Sequence, residues 1–573
     1  ASALNEKRFT NNLVEVIEAE DIGKLPDQNL AEVLENITGI QITREAGVGT
    51  GVQIRGTDAN RTEINGVSTV GSGAGRSGID FEDVSAAIIA GLEVTKSPDA
   101  KTIEGSVGGT INLKTIRPLQ LTERLTSIRV QGENSSLSTD SGFQPRLSAT
   151  FGDNWENDHG KFGVVVSGSY SEQDVSAFRP RADRDNLIAS DSGVASAQSF
   201  DFLPIQFFVQ DYDNYEYETK NFVGTFEWQP NDNTKFFFDA IINDQERLQE
   251  SSRVQASGVS ALNDISVPDA FETINFGSLG GTDLGSMQAA LRGVIPVNLD
   301  NDDDDPNLRL STDTNSRITE SQIFRLGGEW QGEKWFVSAE VASSSSDTTT
   351  PSFNTTLNFI NPNAPLDAGG GNDNSVPFEY DLSGGSLAFG IASGAEYAPT
   401  VEQLLDPSNV VLRDVNIGRD TTENSEDAIR FDFSYYVDSM ITSVDFGYRY
   451  NKSTSTRDDV STSVGLRSME DSPRGDLFSE LLVAGPNNFN DADGRELFVR
   501  DFLIINPELV ASDPDGVLAS LQQAMDAHGS TATLNAPTSS SSGFFDIEEE
   551  THALYAQANF EYEMFRGNFG VRY

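Results

Sequence analysis

Strict two-residue alternation, resumed segment after segment across the last four-fifths of the chain, sets the narrowest limit on its fold. In Ile429-Arg430-Phe431-Asp432-Phe433-Ser434-Tyr435 every odd position is apolar or aromatic and every even one polar. After Asp438-Ser439 the phase resumes, with Val444, Phe446, Tyr448 and Tyr450 set against Asp445, Gly447, Arg449 and Asn451. The same texture runs through 162–170, 221–228, 324–330, 335–341, 554–562 and 568–573. Such a period gives each strand one apolar and one wet face. A sandwich also alternates, so the connections must decide. Eleven strands are expected, at about 123–135, 143–153, 161–172, 215–229, 235–249, 318–331, 334–346, 427–437, 440–453, 550–562 and 566–573. The links at 154–160, 230–234, 332–333, 438–439 and 563–565 are short, and those at 173–214, 250–317, 347–426 and 454–549 are long. Only the first link, 136–142, breaks the series. Short turns on one side and long loops on the other are the pattern of a transmembrane antiparallel β-barrel. Trp228, Trp330, Trp335 and Tyr448, near strand ends, suit interfacial girdles.

Composition removes other classes. Lys plus Arg number 39 against 89 Asp plus Glu, a net charge of −50 that argues against nucleic acid as a partner. Cysteine is absent, which excludes disulfides, thiolate metal sites and cysteine nucleophiles. His159, His528 and His552 are the only histidines and lie far apart, against a histidine metal site or a Ser-His-Asp triad. No apolar run reaches the length of a membrane-spanning helix. Ala1–Thr10 lacks the apolar core of an export signal, so a signal is expected to have been removed or to lie outside the chain.

Residues 1–118 read differently, as a small α+β domain, with 119–573 forming the wall. A strand is expected at Val14–Ile17 and a helix at Pro26–Ile37, where Leu30, Val33, Leu34 and Ile37 make one buried stripe ahead of a C-capping Gly39. Short strands follow at Val52–Arg55, Thr62–Ile64, Leu92–Thr95 and Thr110–Lys114. The stretch "LPDQNLAEVLENITGIQITREAGVGTGVQIRGTDANRTEINGV" (Leu25–Val67) strongly resembles the plug domain of TonB-dependent outer-membrane receptors. So does "GLEVTKSPDAKTIEGSVGGTINLKTIRP" (Gly91–Pro118). The terminal "FRGNFGVRY" supports the likeness in the wall. The spelling "LPDQNLAEVL" looks closest to large-loop receptors tied to carbohydrate scavenging.

That resemblance implies a mainly β protein: a barrel of twenty-two strands when complete, with the plug filling a lumen too wide to stay open. About eleven strands are present here, so the chain is expected to hold the plug and the first half of the barrel. An uneven eleven would also leave the C-terminus on the wrong side of the membrane. It further implies an integral protein of a Gram-negative outer membrane, in contact with lipid and lipopolysaccharide. TonB of the TonB-ExbB-ExbD system would engage a segment upstream of residue 1. Plug–barrel anchoring is implied for Arg55, with Glu93, Lys96 and Glu104 in the matching second stretch. For Glu93 and Lys96, cross-strand pairing inside the plug explains the charges equally well. Ligand-facing apices are implied at 57–61 and 68–78, with Thr57, Asp58, Asn60, Arg61, Ser68, Ser72, Arg76 and Ser77 as contacts. The alternative for Arg61 and Arg76 is pairing with wall carboxylates. The glycines of "STVGSGAGRSG" lack the Gly-Lys-Ser/Thr ending of a phosphate-binding loop.

The long loops hold most of the acid, Ser, Asn and Gly. Asp300, Asp302, Asp303, Asp304 and Asp305 form an acidic run, expected to be a solvated loop, with a structural calcium as the alternative. No other cofactor is expected. Asp491-Ala492-Asp493-Gly494 opens like a calcium loop but lacks the closing Glu. A helix at Val517–Ala527 is expected to pack its own loop, with a lid as the alternative. The functional expectation is a non-enzymatic receptor for energy-coupled uptake of a scarce nutrient. Net negative loops favour an oligosaccharide over a ferric siderophore or other metal chelate. The rival is a surface enzyme acting on polysaccharide through paired carboxylates, which would lack a lipid-facing belt. An adhesin would lack the plug. For sugar stacking the apices offer no aromatic, leaving Tyr212, Tyr215 and Tyr217 of the wall.

Overall fold

The computed structural model describes residues 14–18, 30–45, 47–73, 81, 84, 88–134, 142–194, 196–259, 267–299, 306–366, 370–383, 387–485, 499–563 and 565–573. The N-terminal unit holds β1 (Val14–Glu18), α1 (Leu30–Glu35), β2 (Ile40–Glu45), β3 (Val48–Ile54), β4 (Asn60–Ile64), β5 (Val67–Ser68), β6 (Gly91–Thr95) and β7 (Gly109–Lys114). Its main sheet runs β1-β6-β7-β4-β5, with β2 and β3 as a separate hairpin. The helical stripe works as its spacing requires: Leu30, Val33, Leu34 and Ile37 are buried with Ile64, Leu92, Val94, Ile111 and Leu113. Asn65 and Gly66 both take positive φ, 53° and 82°, which closes the β4–β5 hairpin with a two-residue turn. Val223, Ile241 and Ile323 of the wall join this same core.

Among the described residues the wall sheet has fourteen strands, three of them the short segments Ser251–Ser257, Asn307–Asp313 and Thr538–Ser539; the other eleven are β8 (Leu125–Glu133), β9 (Gln144–Asn157), β10 (Gly160–Arg184), β11 (Ile205–Asn231), β12 (Thr234–Gln249), β13 (Arg317–Gln331), β14 (Trp335–Phe359), β15 (Val410–Tyr436), β16 (Ile441–Gly465), β17 (Phe545–Tyr562) and β18 (Phe565–Arg572). Each pairs antiparallel with the next in sequence, from β8 to β18. Alternation sorts their faces as a membrane barrel needs and a sandwich does not. Phe222, Phe226, Phe236, Phe238, Phe324, Leu326, Phe431 and Phe446 are exposed, while Ser167, Thr225, Glu227, Asp239, Asn243, Thr319 and Asp445 are buried on the side of the plug. The apolar band therefore faces outward, and Trp155, Trp330, Trp335 and Tyr436 mark its edge at the short turns. No helix among the described residues is long and apolar enough to cross a membrane, which says nothing of strands.

The strands run much further than the alternation. β14 continues to Phe359 and β15 begins at Val410, with unbroken pairing from Trp335↔Tyr435 to Phe359↔Val410 apart from one register shift. Above the apolar band both faces meet water or protein, so the apolar signal lapses while the backbone ladder continues.

The long loops depart from expectation most. They carry the largest buried apolar cluster among the described residues, including Phe208, Phe359, Phe378, Phe389, Phe502, Leu521 and Met525. Short strands at Phe202–Leu203, Ala270–Asn275, Ser286–Ile295, Phe378–Asp381 and Ala388–Ile391 form a separate five-stranded sheet in this cap. The loop helix, α2 (Pro514–His528), starts earlier than its apolar stripe indicates. The Asp513 side chain accepts from the Gly516 amide, Pro514 occupies the first turn, and Gly529 ends the helix at φ 89°. Val517, Leu521, Ala524 and Met525 are buried in the cap core.

One carboxyl in the cap region carries a pH signature. Burial first, then the neighbouring charges of Glu216, Glu508 and Asp174, push the Glu250 carboxyl up to about 7. The folded state thus holds a proton that an unfolded chain, near 4.5, has released. This stabilisation is complete below pH 4.5 and is lost as pH rises through 7. Glu250 is only half-buried, so solvent screening leaves roughly 1–2 kcal/mol. The unfolding midpoint of Glu250→Gln should therefore fall less than that of the parent between pH 5 and 8. Parallel pH dependence of the two would show that Glu250 is uncoupled from folding.

Candidate functional site

The upper end of the plug meets the wall in a pocket of about 270 Å³. Plug residues Asn60, Arg61, Thr62, Ser68, Thr69, Val70, Glu104 and Gly105 face Asn424–Glu426, Asn451, Ser453–Ser455, Ile547, Glu549 and Thr551. The loop after β3 is shaped by its own polar groups. The Asn60 side-chain amide donates to Val52 O at 2.9 Å and Thr57 O at 3.2 Å, and the Thr57 hydroxyl accepts from the Ala59 amide at 3.1 Å. A Cβ on Gly108 would lie 2.4 Å from Asn60 Oδ1, so only glycine permits this approach. Asn60 Oδ1 itself is buried and accepts no hydrogen bond among the described residues. Asp58 is exposed.

Arg61 sits at the centre of a mixed ionic cluster. Its guanidinium donates to Glu104 O at 3.0 Å and lies 3.4 Å from Glu426 Oε1 and 3.6 Å from Glu63 Oε1. Arg449 approaches the same Glu426 at 2.8 Å and Glu104 at 3.7 Å, while Arg572 holds Glu104 at 2.5 Å. Burial raises the Glu63 carboxyl above its ordinary value, with Arg61 opposing that rise. Burial also disfavours the charged form of Glu104, but its own amide and Arg572 prevail and hold the carboxyl below the usual range. Arg61, Arg449 and Arg572 thus stand against Glu63, Glu104 and Glu426.

The apical segment after β5 is fastened by wall side chains, the Val70 amide donating to Ser344 Oγ at 3.4 Å. Asn424 Nδ2 donates to Gly71 O at 2.8 Å and Gly73 O at 2.9 Å, and the Arg317 guanidinium reaches Ser72 Oγ at 3.5 Å. Arg76, Ser77 and the acidic run Asp300, Asp302, Asp303, Asp304 and Asp305 lie outside the described residues, as does Asp491–Gly494.

The anchoring expectations redistribute. Glu104 does reach the wall, through Arg449 and Arg572. Glu93 instead pairs with Lys114 inside the plug at 2.7 Å. Lys96 donates to Thr38 O and lies 3.9 Å from Glu15. Both sit on the plug's own sheet, where a neighbouring strand is nearer than the wall. Arg55 occupies a tight turn at φ 55°, is exposed, and makes no ion pair among the described residues. Other cations hold the wall: Arg117 bridges Glu227 at 2.8 Å and Asp239 at 2.7 Å, and Lys101 meets Asp445 at 2.6 Å. Sequence reasoning missed these; the nearest signal was a charged residue on the polar face of an otherwise alternating strand. Nor are the three wall tyrosines free platforms. Tyr212 is buried in the cap core and donates to Val499 O, while Tyr215 and Tyr217 pack against Val48 of the plug.

A family profile described as TonB-dependent Receptor Plug Domain matches residues 6–110. Residues 6–110 are a TonB-dependent receptor plug domain. The match covers the unit whose sheet and apices build the pocket. No curated protein matches this receptor in sequence. Solved structures similar to it include the open form of the ferric-catecholate import receptor Fiu from E. coli K12, at 11% identity and a TM-score of 0.40, covering 98% of this chain and 69% of that one. The siderophore receptor PiuA from Acinetobacter baumannii gives 13% and 0.38, covering 96% and 62%. The ferric yersiniabactin uptake receptor FyuA from Yersinia pestis gives 9% and 0.36, covering 97% and 63%. This TonB-dependent receptor chain thus spans about two thirds of their length. Likeness at this level assigns no ligand.

Proposed function

We propose that this receptor binds a scarce nutrient at the outer face of its plug and takes it across the outer membrane with energy delivered through TonB. Transport rather than catalysis is supported by the outward apolar band, which an enzyme working in water has no use for. We infer further that the nutrient is a ferric chelate without net negative charge rather than an oligosaccharide. The carrying observation is the chemistry of the pocket. Its lining is mostly hydroxyl, amide and carboxylate, with Val70 and Ile547 but no aromatic ring, and its acids outnumber its one lining cation, Arg61. Sugar rings favour an aromatic face, and Tyr212, Tyr215 and Tyr217 are committed to packing. A compact chelate presenting oxygens needs donors and hydroxyls instead. A strongly anionic chelate would meet Glu104, Glu426 and Glu549. The solved neighbours are by name siderophore receptors; that naming is theirs, and the reading rests on the pocket.

Calorimetric titration of the full-length receptor with a neutral ferric trihydroxamate, a ferric tris-catecholate and a maltohexaose separates the readings. The trihydroxamate should bind, and Ser453→Ala with Thr551→Val should weaken it about tenfold, roughly 1.4 kcal/mol. Binding of the oligosaccharide alone would overturn the chelate reading.

A further inference from the structure

Two arginines of the cap are enclosed without being satisfied. Arg309 lies on the short strand Asn307–Asp313, directly opposite Asn358 of β14. Its side chain is 27% exposed, and its Nε is buried with no hydrogen-bond partner among the described residues. Arg413 of β15 is enclosed further, at 13% exposed. It sits where the β14–β15 register shifts, Thr356 pairing with Asp414 and Leu357 with Leu412, so no residue of β14 stands opposite it. A guanidinium carries five donors. Yet the nearest described carboxylate oxygen to Arg309 is Asp373 Oδ2 at 3.9 Å, shared with Arg413 at 3.8 Å. Arg413 Nε lies 3.2 Å from Asp414 Oδ2, whose other oxygen Arg467 holds at 2.7 Å. Arg467 Nη1 is spent on carbonyls, donating to Leu466 O at 2.8 Å and Arg413 O at 3.3 Å.

Three arginines thus face two aspartates among the described residues, in a chain with 89 acids and 39 cations. Burial, then the Arg413 charge, pushes the Arg309 guanidinium down to about 10. Burial, then Arg467, also lowers Arg413. Enclosed cations that repel each other call for an anion, because the hydration lost on burial has to be replaced. A single negative charge balances the group. Asn358 adds a second requirement. It is fully buried, and its amide nitrogen donates to Asn372 O at 2.9 Å and Asn372 Oδ1 at 3.0 Å. Turning that amide over would set oxygen against the Asn372 carbonyl, so Oδ1 must find its donor elsewhere. Asn358 Oδ1 is buried and accepts no hydrogen bond among the described residues. An occupant that accepts from arginine and donates one hydroxyl to Asn358 answers both needs.

We propose that Arg309, Arg413 and Asn358 form a site for a small, singly charged oxyanion bearing one hydroxyl, of the hydrogencarbonate or dihydrogen phosphate kind. The site is separate from the plug pocket and does not depend on what that pocket takes. Bound there, the anion would tie Asn307–Asp313, β14 and β15 together at their cap ends through charge-assisted hydrogen bonds. Arg467, 56% exposed, marks the side open to water.

Hydrogen exchange on the full-length receptor in detergent, at pH 7 and constant ionic strength, tests the site. Hydrogencarbonate and phosphate are each titrated against chloride, with acetate as the oxyanion lacking a hydroxyl. Exchange at 307–311, 356–359 and 410–415 should slow several-fold and saturably, and the anion saturating at lower concentration is the occupant. Acetate should do less, and chloride nothing. Arg309→Met should exchange no faster than the parent in chloride, because an unpaired enclosed cation is gone, and should ignore both anions. Unchanged exchange in plug strands β4, β6 and β7 shows that the variant has folded. Arg309→Lys, which keeps the charge but loses the fork, should need a several-fold higher anion concentration. A response equal in chloride, or retained by Arg309→Met, would overturn the site. So would faster exchange of Arg309→Met in chloride, since Arg309 would then be paired by the protein itself. Acetate matching the better anion would overturn the need for a hydroxyl.

Discussion

Arg117→Ala should lower the stability of the plug–wall unit by about 3–5 kcal/mol. Arg117 follows the last plug strand and inserts its guanidinium between Glu227 and Asp239, whose side chains are each only 2% exposed. Glu227 also accepts from the Leu119 amide at 3.0 Å, and Asp239 is shared with Arg325 at 3.3 Å. Truncating Arg117 leaves Glu227 without a cation and Asp239 with Arg325 alone, where water cannot reach, and removing one partner costs far more than the intact pair contributes. The exposed pair Arg124–Asp153, at 2.7 Å, is the control, since Arg124→Ala should change stability by roughly 0–1 kcal/mol. Thermal unfolding in detergent reads both. Adding Glu227→Gln and Asp239→Asn to Arg117→Ala should recover part of the loss, because the stranded charge is then gone. A loss no larger than that of the control would mean water reaches the cluster.

Phe389→Ala should cost about 3–5 kcal/mol as well, but in the cap. Phe389 is 1% exposed, stacks on Phe208 at 5.1 Å between ring centroids and meets Phe378 edge-on at 6.5 Å. The Gln210 side chain also donates to its carbonyl at 3.2 Å. Deleting the ring leaves a cavity where the small cap sheet joins the long extension of β11. Hydrogen exchange should accelerate at 378–391 and 286–295, with the plug strands β4, β6 and β7 unchanged. Acceleration spread evenly over plug and cap would show that the two unfold as one unit.

Much of this architecture was readable as a string. The eleven long wall strands follow from alternation and link lengths, and most plug elements follow from short motifs such as the Leu30–Ile37 stripe, but β2, β5 and the three short wall strands were not read. Where the reading fell short, the missing information was non-local. The strand extensions show no alternation, since Ser343–Ser346 and Thr348–Thr350 lie where neither face needs to be apolar. The cap was expected to be polar because its apolar residues are scattered: Phe208, Phe359, Phe389 and Phe502 are separated by long acidic stretches and meet only in three dimensions. Arg55 looked like the anchor because its motif is conspicuous, yet its tight turn leaves it exposed, and among the described residues Arg61, Lys101 and Arg117 reach the wall instead.

What the sequence by itself determined is whatever depends on near neighbours. A helix stripe, a turn glycine or a strand's two faces are set within a few residues, by backbone geometry and side-chain period. Which charges neutralise each other was decided by the tertiary structure alone. Arg61 meets Glu426, and Glu104 meets Arg572, across 365 and 468 positions of chain. With 89 acids available to 39 cations, no local rule selects those pairs. They form because the wall curves around the plug and excludes water from the contact, so only partners brought face to face can replace the hydration that burial removes.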